Sequence, residues 1–182
     1  YNKAITFKND YTDAYNNLGL ALKDQGKLEE AVEAINKALL VKSDNADAYS
    51  NLGVALQEQG KLEEAIKASN KAISLEPDNA EAYLNLAIIY REARLYVEAI
   101  AAYKEAIKLD SGSHDLFYNN GTCLLKIGRL GDAKNSYYNS LMLKPNRAEA
   151  YFKLGQILTM LGQFETSFKH YKKLSRLAPN DP

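Results

Sequence analysis

Asn17, Asn51, Asn85 and Asn119 stand 34 residues apart, and Lys153 takes the next place in the row. A side-chain amide offers a donor and an acceptor together. A row of them can therefore hold the C=O and N–H of an extended polypeptide without reading its side chains. One position earlier, Asn16 and Ser50 give way to Leu84, Tyr118 and Phe152, flanked by Leu20, Val54 and Ile88. Apolar groups set among amides suit contact with a partner's side chains. Arg91, Lys126 and Lys153 would add contacts for acidic groups. Two purely structural readings compete: the amides bond a neighbouring turn, and the apolar groups pack on adjacent helices.

Other chemistry is poorly served. Cys123 is the single cysteine, so there is no internal disulfide, and with only His114 and His170 it makes no metal-ligand cluster. Neither histidine has a catalytic companion nearby in sequence, so no catalysis, metal or cofactor is expected of this segment. The 23 basic residues balance the 23 acidic ones, which argues against nucleic acid as a general partner. The balance is uneven along the chain: Thr12–Ser113 holds 11 basic and 17 acidic residues, His114–Pro182 holds 10 and 5. No apolar run approaches the ~20 residues of a membrane span, and no signal peptide opens the chain. No membrane insertion is expected; the compartment is not encoded, with the cytoplasm favoured.

The rows need a scaffold with their own period. Tyr15, Tyr49, Tyr83, Phe117 and Tyr151 share it, as do Leu18, Leu52, Leu86, Asn120 and Leu154, each followed by Gly or Ala. Ala31, Ala65, Ala99, Ala133 and Ser167 align, and Ala38, Ala72, Ala106, Ser140 and Leu174 after them. Pro77, Pro145 and Pro179 close three repeats; Ser43 and Ser111 stand in that place in two others. In the second repeat Tyr49, Leu52, Gly53 and Leu56 recur at steps of three and four, one stripe of a helix. At 100° per residue the opposite face carries Asp47, Ser50, Asn51, Val54, Gln57 and Glu58. Gly60 supplies a permissive break. A second helix follows, with Leu62, Ala65, Ile66, Ser69, Ala72 and Ile73 inward and Glu63, Glu64, Lys67 and Lys71 toward water. Pro77 ends it, and Asp78 or Asn79 can cap the next first helix.

These residues resemble the tetratricopeptide repeat (TPR) family: aromatic, Leu-Gly, a mid-repeat Gly, Ala, aromatic, Ala, Pro. The resemblance covers five repeats, 12–45, 46–79, 80–113, 114–147 and 148–182, in one continuous solenoid, with residues 1–11 as the tail of a preceding one. It implies an all-α superhelix of antiparallel helix pairs, first helices lining the inner groove. The Asn row resembles the asparagine ladder of TPR superhelices of the O-GlcNAc transferase type. The Lys/Asn arrangement of carboxylate-clamp TPR domains is not reproduced, because Asn16, Leu20 and Ser50 occupy the first repeats' groove positions.

The function expected is a non-catalytic protein–protein interaction scaffold that binds a peptide or protein segment in the concave groove. One alternative is a substrate-recruiting arm of a larger enzyme, such as a glycosyl- or other group-transferase. A second is structural self-assembly by end-to-end stacking. Tyr1 begins in mid-helix, and Phe168, Tyr171 and Leu174 would normally meet a further helix. The chain is thus expected to be a segment of a longer protein, with ends that pack on other copies.

Three positions depart from the pattern. Arg94 stands where other repeats have Gly26, Gly60, Gly128 and Gly162, at a cost of roughly 1 kcal/mol if a left-handed conformation is kept. Asn120 takes a core leucine position and needs a hydrogen-bond partner if buried. Cys123 matches Ala21, Ala55 and Ile89, which suits an inert core residue.

Overall fold

The computed structural model describes residues 2–177, with side chains from Tyr11 onward. Among the described residues there are ten α-helices and no strand. They are α1 (Asn2–Asp24), α2 (Leu28–Val41), α3 (Ala46–Glu58), α4 (Leu62–Leu75), α5 (Ala80–Glu92), α6 (Tyr96–Leu109), α7 (His114–Lys126), α8 (Leu130–Leu143), α9 (Ala148–Met160) and α10 (Phe164–Leu177). The chain divides into two compact halves, the first through Leu95 and the second from Tyr96. Among the described residues no helix is long and apolar enough to cross a membrane.

Local chemistry explains the boundaries. Asn45 and Asn79 cap α3 and α5, their Oδ1 atoms accepting from the backbone N–H of Ala48 at 2.9 Å and Ala82 at 3.1 Å. Gly26, Gly60, Gly128 and Gly162 turn the chain between paired helices at φ between 71° and 77°, where an L side chain is strained. Arg94 keeps the same conformation at φ 60°. Its turn closes as the glycine turns do: the Leu95 N–H donates to the Tyr90 carbonyl at 2.8 Å, as Lys61 donates to Leu56 at 2.9 Å.

Helix α1 runs without interruption across the expected repeat boundary between residues 11 and 12. Tyr11 stands where Asn45 and Asn79 cap α3 and α5, so that boundary lacks the capping amide.

In the first half, helices pack in sequence order, and α3 also touches α1 and α5 directly. Ile35, Ala38, Ala48 and Ala55 form one buried cluster; Leu56, Ala65, Ala68 and Ile89 form the next, with Val32, Leu52, Leu62 and Ile66 packed against it. The signature glycine allows this approach: a Cβ on Gly53 would lie 2.4 Å from Ser69 Oγ. In the second half the core side chains are larger. Tyr103 and Tyr137 are fully buried, and a Cβ on Gly155 would come within 2.6 Å of the Tyr171 ring. Asn120 is buried, as its leucine position requires. It donates to Ser136 Oγ at 3.1 Å, while its Oδ1 has no hydrogen-bond partner. Cys123 is buried too. On α10, Phe164 and Phe168 remain about two-thirds exposed, at 68% and 67%.

Candidate functional site

In the first half, successive first helices are joined by side-chain rungs. Asn51 Nδ2 donates to Asn16 Oδ1 at 3.0 Å, and Asn85 Nδ2 donates to Ser50 Oγ at 3.2 Å. Lower on the same helices, Lys23 Nζ lies 3.7 Å from Glu58, and Gln57 Nε2 donates to Glu92 Oε2 at 2.7 Å. Each rung links residue n to residue n+35, so the 34-residue period places it one helix along. The amides of Asn51 and Asn85 thus spend one N–H on the preceding first helix. Each retains a carbonyl oxygen and a second N–H.

Beside these rungs lies a cleft of about 270 Å³ lined by Asn16, Leu20, Asp47, Ser50, Asn51, Asn79 and Glu81. Its walls come from α1, α3 and the start of α5, and they are mostly polar. Asn79 is held at its edge by two local duties, since Oδ1 caps α5 and Nδ2 donates to Glu76 at 3.2 Å.

The equivalent place in the second half is filled. Arg147 occupies Asn79's repeat position, and its guanidinium carbon lies 3.9 Å from the centroid of the Tyr118 ring. The same guanidinium donates to Asp115 Oδ1 and, at 2.9 Å, to His114 Nδ1, with Glu149 3.8 Å away. Arg147's hydrogen bond holds the Asp115 carboxyl below its ordinary range against the opposing effect of burial. Burial pushes the Tyr118 phenol up. Tyr118 meets Tyr137 edge-on at 5.4 Å, and burial pushes the Tyr137 phenol up to about 12 despite a 3.0 Å hydrogen bond with Thr122.

The residues singled out in the sequence fall as follows. Asn17 is exposed on α1; Asn51, Asn85 and Asn119 are half-buried, and Asn119 has a partner of its own. Leu84, Ile88 and Arg91 are half-buried on α5. Tyr118 lies beneath Arg147. Phe152 is 41% exposed and meets Tyr171 edge-on at 6.4 Å, with Lys153 Nζ 5.6 Å from its ring. Lys126 is exposed at the end of α7. The structure brings Asn51 to Asn16, Asn85 to Ser50, and Lys153 to Phe152.

Sequence reasoning put Asp47 on this face but missed that its position is acidic in every repeat: Asp13, Asp47, Glu81, Asp115 and Glu149. It also missed the change from Asn45 and Asn79 to Arg147 at the turn. The 34-residue spacing carried both signals.

Family models described as TPR repeat match residues 19–60, and models described as tetratricopeptide repeat match 52–114 and 148–181. The chain belongs to the tetratricopeptide repeat family. No curated protein matches it. Among solved structures, a crystal structure of MamA is similar with a TM-score of 0.86 at 24% identity, over 94% of this chain and 93% of that one. YrrB, described as a TPR protein with an unusual peptide-binding site, gives 0.82 at 22% identity, over 98% and 92%. PilF of Pseudomonas aeruginosa gives 0.80 at 25% identity, over 93% and 77%. The fold class is the all-α TPR solenoid of helix pairs, and the TPR family is one of protein-interaction scaffolds.

Proposed function

We propose that this TPR chain, read as repeats 12–45, 46–79, 80–113, 114–147 and 148–182, binds a segment of another protein along the face of its first helices and performs no catalysis itself. The observation that carries this reading is the rung geometry. Asn51 and Asn85 are each oriented by one hydrogen bond to the preceding helix, which leaves each amide spare capacity, and Asn51 lines an open polar cleft. A side chain fixed in this way has already lost rotamer freedom, so it gives up less entropy on gripping a partner's backbone. Asn17 and Asn119 extend the row by sequence. Leu84, Ile88, Tyr118 and Phe152 would meet the partner's side chains, with Arg91, Lys126 and Lys153 available to its acidic groups.

The test is Asn51→Ala with Asn85→Ala against a peptide selected from an array. Binding by calorimetry should weaken by about 1–3 kcal/mol, while circular dichroism retains the helical signal. Unchanged affinity rejects the row as a backbone grip.

A further inference from the structure

We infer that the cleft of the first half receives the guanidinium of an arginine carried by a partner polypeptide, in the place that Arg147 fills in the second half. The repeat itself supplies the template. Moved by 68 residues, the cleft residues Asp47, Ser50, Asn51, Asn79 and Glu81 become Asp115, Tyr118, Asn119, Arg147 and Glu149. In that second set a guanidinium is seen in place, bonded to Asp115 and His114 with Glu149 near by. The first set keeps both carboxylates but replaces the arginine with a short amide whose two ends are occupied by α5 and Glu76. What remains is the 270 Å³ cleft.

Charge and shape favour the same occupant. Asp47 and Glu81 bring two carboxylates to the cleft, and no lysine or arginine is among its lining residues. The chain through Leu95 holds 11 basic and 15 acidic residues, against 12 and 8 from Tyr96 onward. The planar fork of a guanidinium can bond one carboxylate while its remaining N–H groups reach a hydroxyl or amide carbonyl, here Ser50 and Asn51. The single ammonium of lysine matches that spread of acceptors less well.

This inference rests on the first-helix face being the docking surface, and the experiment separates the two. The full chain is titrated with N-acetyl-Gly-Arg-Gly-amide and with its citrulline counterpart, which keeps the shape and loses the charge, while backbone amide resonances are followed. Saturable shifts at Asp47, Ser50, Asn51 and Asn79 are expected, with affinity at least fivefold lower for citrulline. Asp47→Asn with Glu81→Gln should lower affinity for the arginine probe at least fivefold. Asn79→Arg should block the probe by filling the place from within the chain. Equal binding of citrulline, shifts scattered over other acidic surfaces, or undiminished binding by these variants overturns the inference. The effect of Asn51→Ala and Asn85→Ala on a longer peptide lacking arginine judges the docking surface independently.

Discussion

Where the first half carries Ser69 the second carries Tyr103 and Tyr137, and where the first carries Asn79 the second carries Arg147. The surrounding frame hardly changes: Ala65 and Ala133 are both fully buried, and Gly60 and Gly128 turn at φ 77° and 76°. Within that frame the first half joins its first helices by amide, hydroxyl and ion-pair rungs. The second fills the corresponding space with rings and a guanidinium. The small residues and the turn therefore fix how helices stack, while neighbouring positions are free to exchange polar pairing for aromatic packing. One exchange closes a surface; the other leaves a polar cleft.

The contrast is sharpest at the Ser69 and Tyr137 position. Tyr137→Ala should cost about 3–5 kcal/mol, because it empties a fully buried ring site. Ser69→Ala should fall within about 1 kcal/mol of the parent, on the stabilising side, because Ser69 Oγ is buried without a hydrogen-bond partner. Urea unfolding followed by hydrogen exchange in each half checks both; equal costs would erase the distinction.

The next effect is alkaline. With its phenol raised to about 12, Tyr137 stays neutral in the fold after the unfolded chain has begun to ionise near pH 10. Its contribution is full below pH ~10 and is lost as pH rises toward 12, at most about 2–3 kcal/mol. The fall in urea midpoint between pH 9 and 11.5 should shrink in Tyr137→Phe. A parallel fall in the variant would assign the loss to other tyrosines.

The smallest test compares the two turns. Arg147→Ala should cost about 1–2 kcal/mol through its ring contact and a partly screened ion pair. Asn79→Ala should cost about 1 kcal/mol through the lost cap. Added salt at 1 M should reduce the first cost and spare the second. Lowering the pH through the depressed Asp115 titration should likewise erode only the first, since that carboxylate stabilises the fold above its unfolded range.

The fold was readable because stacking demands small and apolar groups at positions that cannot drift independently; Gly53, Ala65 and Ala72 recur for that reason. Asn79's cap and the left-handed Arg94 were readable from local backbone rules. The rungs were not. Linking Asn51 to Asn16 requires the distance between two first helices, which depends on packing across the whole repeat. Arg147 was harder still, because a charged residue in a turn ordinarily faces water, and only the ring of Tyr118 beneath it shows why it stays half-buried.

Arg94 carries one more consequence. Replacing it with glycine would relieve roughly 1 kcal/mol of left-handed strain. The unfolded chain would gain backbone freedom worth about 0.5–1 kcal/mol in the opposite direction. The two changes nearly cancel, so neither residue holds a decisive advantage at this turn. The hydrogen bond from the Leu95 N–H to the Tyr90 carbonyl closes the turn with either residue, and the position can drift between glycine and arginine at almost constant stability.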